Sequence, residues 1–203
     1  MIKIIDYKAG NAPSVLHALK HLGHKAELAS GVMDLSNATH IILPGVGSAK
    51  ATMESLKEMN LIPKLEKMIM TRKLPFLGIC VGMHVLFEYS EEENAACLAW
   101  LKGRVIKYDS QNVRVPQMGW NQVNFKKNTP LAKTPDGYFY FVNSYHVEPD
   151  DEDEVWATAD YDGKFVAAIQ CENIYATQFH IEKSGKEGLA LLNSFVSQSS
   201  PSV

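Results

Sequence analysis

The sequence predicts an α/β fold: an open, mostly parallel, twisted sheet flanked by helices, with an additional antiparallel sheet region. Two patterns carry this. From Ile2 to Cys80, short apolar runs of buried-strand type alternate with segments whose apolar residues recur at helical spacing. Strands joined by crossover helices read this way. In the second half, short strand-like segments follow one another closely, and the hairpin dipeptide Asp162-Gly163 separates two of them. A third observation bounds the size: 203 residues with an ordinary apolar fraction suit one domain with a proper core.

In order, Ile2 to Ile5 reads as a strand, and Asp6-Tyr7-Lys8-Ala9-Gly10-Asn11 as a polar, glycine-containing turn. Ser14 to Leu22 carries Val15, Leu16, Leu19 and Leu22 at helical spacing, with Gly23 as its C-terminal cap. Lys25 to Ala29 and His40 to Leu43 are the next strands, the latter ending in Pro44-Gly45-Val46-Gly47. Met53 to Met70 is helical, interrupted near Asn60 to Pro63, and Leu74 to Ile79 is the fourth strand. Phe139 to Val142, Glu154 to Asp160, Phe165 to Gln170 and Ile174 to Phe179 follow as strands, and Gly188 to Val196 as an amphipathic helix. Ser197 to Val203 is small, polar and aperiodic, the mark of a disordered tail. The expected domain therefore spans residues 1–196.

Composition excludes several classes of function. The formal charge of −3 and the lack of a basic run argue against nucleic acid or an anionic membrane as partner. No stretch approaches the roughly 20 apolar residues of a membrane helix, and the N-terminus reads as a strand rather than a signal peptide. Cys80, Cys97 and Cys171 are odd in number and scattered, which suggests neither a disulfide framework nor a zinc site. Cys97 and Cys171 read as plain buried thiols. His17, His21 and His24 lie in or beside the first helix without a supporting carboxylate or cysteine cluster, so they read as a solvated face. The acidic runs Glu91-Glu92-Glu93 and Asp150-Asp151-Glu152-Asp153 mark exposed loops. The chain reads as a reduced, cytosolic protein without a metal or cofactor.

Chemistry concentrates at Gly78-Ile79-Cys80-Val81-Gly82. A residue on a sharp strand-to-helix turn needs small neighbours, because its side chain must stand clear of a strained backbone. A helix continuing from Val81 to Phe87 would also turn N–H groups and a positive dipole end toward the sulfur. Cys80 thus suits a nucleophile on an elbow, although a structural cysteine beside two packing glycines has the same pattern. His180 and Glu182 supply a second clue. A cysteine nucleophile needs an imidazole, and the imidazole a partner that fixes its tautomer. His-x-Glu in extended geometry would send both side chains the same way. Surface pairs of this kind are common, but Cys80 and His180 both fall just past the C-terminal ends of predicted strands. Sites in such sheets gather there.

Together with Pro44-Gly45-Val46-Gly47 and Gln178-Phe179-His180-x-Glu182, the cysteine turn resembles the class I (triad) glutamine amidotransferases, which have a flavodoxin-like core. Asp6-Tyr7-x-Ala9-Gly10-Asn11, Val115-Pro116-x-Met118-Gly119-Trp120-Asn121, Tyr140-Phe141-Val142-x-Ser144-Tyr145 and Glu182-Lys183-Ser184-Gly185 are similar to the glutaminase subunits of imidazole glycerol phosphate synthase. The resemblance covers residues 1–196 in order. It implies that Cys80 attacks the glutamine carboxamide, that His180 serves as base and then acid, and that Glu182 orients it. Gly45, Val46, Gly47 and Val81 would hold the oxyanion. Gly45, Gly82, His84, Asn143, Ser144 and Tyr145 would contact substrate. It also implies that ammonia passes to a (β/α)8-barrel cyclase subunit in a heterodimer. That subunit would form imidazole glycerol phosphate and the aminoimidazole carboxamide ribotide of histidine biosynthesis. Asn11, Trp120, Asn121, Tyr140 and Lys183 are then candidates for the partner interface or ammonia gate, and His146 a further one.

Four positions depart from the family pattern. His84 replaces a glutamine that helps hold the substrate, and an imidazole cannot reproduce a carboxamide's paired donor and acceptor. Gln117 and Asn143 each replace a histidine, and Ile181 replaces a proline. With the Cys–His–Glu set intact, chemistry is expected to survive. The same departures also suit a paralogous ammonia donor to an amino-sugar or surface-polysaccharide synthase, or a catalytically impaired partner-binding subunit.

Overall fold

The computed structural model describes residues 1–8, 10–109, 111–126, 131 and 136–199; Ala9 of the first turn and residues 200–203 of the tail lie outside the described residues. The first half contains β1 (Ile2–Ile5), α1 (Ala12–His21), β2 (Ala26–Ala29), β3 (His40–Gly45), α2 (Ala49–Glu58), α3 (Ile62–Glu66), β4 (Phe76–Cys80) and the single-turn α4 (Val81–His84). The second half adds β5 (Tyr89–Ser90), β6 (Ala95–Ala96), β7 (Gly103–Lys107), β8 (Gln117–Phe125), β9 (Gly137–Asn143) and β10 (Tyr145–Pro149). After these come β11 (Val155–Asp160), β12 (Lys164–Cys171), β13 (Ile174–Thr177) and α5 (Gly185–Val196).

The strand order β2-β1-β3-β4-β13 forms the parallel half of the sheet. β1, β3, β4 and β13 are buried along their whole length, as strands covered on both faces must be. Lys3, in the middle of β1, is tolerated because its ammonium reaches Glu27 at 2.6 Å. α1 lies against β1, β2 and β3 and touches α5, while α2 packs on α4. β12 then runs antiparallel to β13, and β10 and β7 continue from it. A branch leads from β12 through β11 and β8 to β9. The antiparallel region is thus larger than the strands recognised in sequence: β5, β6, β7, β8 and β10 are additional.

Other boundaries moved for local reasons. α2 starts four residues before Met53, because the Ser48 hydroxyl accepts the Ala51 N–H at 3.2 Å and caps it. The expected interruption is present, with Asn60 at φ +52° between α2 and α3. The helix expected to run from Val81 to Phe87 stops at His84. The carbonyls of Val85, Leu86 and Phe87 turn outward and accept from Leu98, Trp100 and Ala99 at 2.9 Å. At the predicted hairpin, Asp162 and Gly163 both have positive φ. The described part of the tail is anchored rather than free: the Gln198 carbonyl accepts from His40 Nε2 at 3.1 Å, and its side chain accepts from the Tyr175 hydroxyl at 2.9 Å. Among the described residues no helix is long and apolar enough to cross a membrane.

One part of the core bears directly on function. Phe179 is fully buried and packs on Phe139 at 4.3 Å and on Phe141 at 5.7 Å between ring centroids. This ties the segment after β13 to β9.

Candidate active site

The parallel register assembles three strand ends. Gly45 at the end of β3 pairs with Cys80 at the end of β4, and Thr177 at the end of β13 pairs with Ile79. Cys80 itself has φ +54° and ψ −110°. Such a conformation costs a non-glycine residue roughly 1–3 kcal/mol and persists only when its surroundings enforce it. The enforcement is visible in the flanking glycines. A Cβ on Gly82 would stand 1.9 Å from the Leu43 carbonyl oxygen, and one on Gly78 would stand 2.4 Å from the Gly82 oxygen. The two glycines are packed backbone to backbone, so the turn closes only without side chains there. Packing and elbow geometry, alternatives in the sequence, are one requirement in the structure.

His180 follows Phe179 and is clamped from β9. Its N–H donates to the Tyr140 carbonyl at 2.9 Å, and its carbonyl accepts from the Ser184 hydroxyl at 2.7 Å. Its Nδ1 lies 3.0 Å from Glu182 Oε1, with both side chains almost wholly buried. Glu182 reaches this position from a 3₁₀ turn, Ile181–Lys183, rather than from the extended chain expected. Asn11, expected at the interface or gate, donates from Nδ2 to the same Glu182 oxygen at 2.8 Å. It therefore supports, on the same oxygen, the carboxylate that holds His180.

The electrostatics follow from this chain. Burial works against a charged His180, but its hydrogen bonds to Cys80 and Glu182 and their negative charge outweigh it, raising its pKa to about 10. Burial alone would raise Glu182. The hydrogen bond and charge of His180, with the Asn11 amide, hold it below the usual carboxylate range instead. A proton resident on His180 can be handed to a leaving group.

A cavity of about 380 Å³ opens on the sulfur, lined by Val46, Gly47, Cys80, Val81, His84, Glu92, Pro116, Val142, Asn143, Ser144, Tyr145, His180 and Lys183. Its volume lies in the roughly 300–1,000 Å³ range of small-molecule sites. Gly45 and Gly82, expected to contact substrate, are absent from that lining: a Cβ on Gly45 would meet the Tyr7 hydroxyl and Val81 Cβ at 2.8 Å, and one on Gly82 the Leu43 carbonyl. His84 is buried and its pKa is lowered to about 4 by desolvation, against the hydrogen bond from its Nε2 to Gln178 Oε1 at 2.8 Å. Asn143 donates to the Tyr108 hydroxyl at 3.2 Å and to the Tyr145 carbonyl at 2.9 Å. Gln117 is buried at the same tyrosine, 3.5 Å from its hydroxyl.

At the mouth, Trp120 is 55% exposed and meets Tyr140 edge-to-face at 6.0 Å. Met118 and Tyr138, exposed on the same face of β8 and β9, extend this apolar surface. Asn121 is turned away, donating to the Asp160 carbonyl at 2.7 Å, and Lys183 is exposed on the rim. His146 instead lies on Tyr108, 4.7 Å between ring centroids, beside a larger open trough of about 890 Å³ that contains no member of the Cys–His–Glu set.

Two site residues escaped the sequence reading. Glu92, assigned to an exposed acidic loop, is half-buried, lines the cavity and accepts the Ala49 N–H at 3.1 Å; burial raises its pKa. Gln178, noted only as part of a motif, is fully buried with its Nε2 3.7 Å from Cys80 Sγ. Glu92 had one usable signal, the unrecognised start of α2 at Ser48. Gln178 had none. Cys97 and Cys171 are only partly buried, and burial is the main cause that raises both thiols to about 11. That disfavours the thiolate form of both.

The family Glutamine amidotransferase class-I matches residues 3–198. The Imidazole glycerol phosphate synthase subunit HisH of Leptospira borgpetersenii is 40% identical over 203 residues, covering 97% of this chain and 100% of that one. The subunit HisH 1 of the same synthase from Campylobacter jejuni (strain RM1221) is 43% identical over 201 residues, covering 97% and 99%. Among solved structures, one described as a glutamine amidotransferase superposes with a TM-score of 0.78 at 18% identity, covering 96% of both chains. That last likeness is one of fold.

Proposed function

The chain belongs to the class I glutamine amidotransferase family, and from that premise we propose how this site works and what it serves. It is a glutaminase subunit of imidazole glycerol phosphate synthase, acting through one amidotransferase domain over residues 1–196 and releasing ammonia for histidine biosynthesis in the cytoplasm. The observation that carries the catalytic reading is the hydrogen-bonded series Cys80–His180–Glu182–Asn11 at one sheet edge, opening on a cavity of amino-acid size.

Glutamine enters with its carboxamide at Cys80. Its α-ammonium is matched by the Glu92 carboxylate, and its remaining polar groups by His84, Asn143, Ser144 and Tyr145, which line the same cavity. The sulfur attacks the carboxamide carbon to form a tetrahedral oxyanion. Backbone N–H groups of Val81 and of the Gly45-Val46-Gly47 strand end receive this charge; removing one such donor typically slows a reaction about 100- to 1,000-fold. His180 gives its proton to the departing nitrogen, which leaves as ammonia, and a γ-glutamyl thioester remains. His180 then takes a proton from water as the water attacks the thioester. Glutamate leaves and the sulfur is restored. Glu182 and Asn11 keep the imidazole aimed throughout.

Ammonia then passes to a (β/α)8-barrel cyclase subunit bound over the cavity mouth. The exposed apolar face of Met118, Trp120 and Tyr138 beside that mouth, with half-buried Tyr140 packed against Trp120, supports a docking partner there. The test is glutamate release from glutamine by the purified chain, alone and with a cyclase partner holding its nucleotide ligand. Strong stimulation by the partner, abolished by Cys80→Ala, is expected. Equal rates with and without the partner would refute the coupling. Stimulation only by an amino-sugar synthase would reassign the pathway while leaving the chemistry in place.

A further inference from the structure

Gln178 makes contacts that the hydrolysis just described does not use. It lies between β13 and His180, fully buried, with its main-chain N–H held by the Ala167 carbonyl at 2.8 Å. Its carboxamide bridges two groups. Oε1 is 2.8 Å from His84 Nε2, and Nε2 is 3.7 Å from Cys80 Sγ.

The structure turns the Gln178 oxygen to His84 and its nitrogen to Cys80, and the imidazole tautomer follows from that placement. A neutral imidazole carries one N–H, and a carboxamide oxygen can only accept. His84 is wholly buried and neutral, so its hydrogen sits on Nε2, facing Oε1. This hydrogen bond holds the Gln178 amide with its NH₂ toward the sulfur. Cys80 has two alternative partners accordingly. As a thiol it donates to the Val142 carbonyl at 3.8 Å; once its proton has left, it can only accept, and the Gln178 N–H is in place. A donor that meets only the charged form favours that form.

We propose that Gln178 is a second hydrogen-bond donor to the nucleophile, acting beside His180, and that His84 is the positioning residue that keeps its amide turned toward the sulfur. The glutamine-to-histidine departure at position 84 is then a local solution rather than a loss, since either side chain can present an N–H to Gln178 Oε1. This assignment rests on Cys80 being the nucleophile.

The experiment is alkylation of Cys80 by iodoacetamide in the full-length chain across the neutral pH range, followed site by site with mass spectrometry. Gln178→Met keeps length and volume while removing the donor. It should lower the Cys80 rate at neutral pH about tenfold, the scale of one hydrogen bond to a charged group, and move the pH of half-maximal rate upward. His84→Phe should act in the same direction, because the amide is then free to rotate. His84→Gln, which restores an N–H for Oε1, should recover the alkylation rate that His84→Phe loses. A merely structural role for Gln178 would change thermal stability without moving the pH profile. An unchanged profile in Gln178→Met overturns the proposal. If that variant does not fold, an unchanged profile in His84→Phe overturns it instead. Cys80 reacting no faster than Cys97 in the unsubstituted chain would overturn the nucleophile assignment as well, and so separates the two failures.

Discussion

Gly82→Ala tests the elbow directly. The added methyl would lie 1.9 Å from the Leu43 oxygen and 3.0 Å from the Leu43 carbonyl carbon, whereas real Cβ contacts are essentially never closer than 3.0 Å. The obstacle is main chain in the middle of β3, so no side-chain rotation relieves it. The turn carrying Cys80 must move by more than 1 Å relative to β3. Overpacking of this kind costs about 1–3 kcal/mol, or roughly 2–4 °C in Tm for each kcal/mol in a chain of this length. A displacement near 1 Å at a reacting group costs about 100-fold in rate. The expected result is a fall of about two orders of magnitude in kcat for glutamate release, with a folded protein and a modest loss of Tm. Gly31→Ala is the control for stability: its nearest neighbour would be the Asp34 carboxylate at 3.8 Å, and Tm should not change. Gly82→Ala with kcat within twofold of the parent would show that the sulfur does not depend on this turn, and the elbow argument would fail.

Three further outcomes follow from the same site. Asn11→Ala should lower kcat about tenfold with KM little changed, since the lost hydrogen bond is to a charged group that touches no substrate; a rise in KM alone would contradict its support of Glu182. Glu92→Gln keeps a cap for Ala49 but loses the charge. It should raise KM for glutamine about tenfold with kcat nearly constant, and an unchanged KM would remove Glu92 from recognition of the ammonium. The His180–Glu182 pair gives a signed pH dependence. The raised pKa of His180 contributes stability that is complete below its ordinary value of 6.5 and disappears as pH rises through about 10. The lowered pKa of Glu182 contributes stability present above its ordinary value and lost as pH falls through the depressed one. Urea unfolding of the parent and of His180→Asn should therefore differ most in mildly acidic solution and converge toward strong alkali. A constant difference across that range would contradict the pairing.

The parallel half was legible because β1, β3, β4 and β13 are covered on both faces and therefore appear as unbroken apolar runs. β8 was not: its burial alternates from end to end, but polar Gln117 and Asn121 lie on the inward face while Met118 and Trp120 lie on the outward one, so apolar character does not follow the alternation. α4 ended early because the carbonyls of Val85, Leu86 and Phe87, just beyond it, serve residues 98–100, a pairing without a periodic signature. The three reacting residues were recognisable as local motifs. Their supports were not: Asn11 to Glu182, Gln178 to Cys80 and Glu92 to Ala49 are contacts across 171, 98 and 43 residues. Sequence neighbourhood identifies a nucleophile and its base; only the folded chain says what holds them.

The anchoring of His180 has a consequence for how this enzyme would fail. Cys80 ends β4, and His180 lies three residues past the end of β13, the parallel neighbour of β4, which β12 flanks on its other side. The nucleophile and its base therefore ride on adjoining central strands. The Tyr140 carbonyl that holds the His180 N–H comes from β9, whose only strand partner among the described residues is β8. Local opening begins where cooperative support is thinnest. Warming should loosen this last restraint first and blunt the aim of the imidazole, while the strands that carry both reacting groups, and a probe of helix and sheet content, still report a native protein.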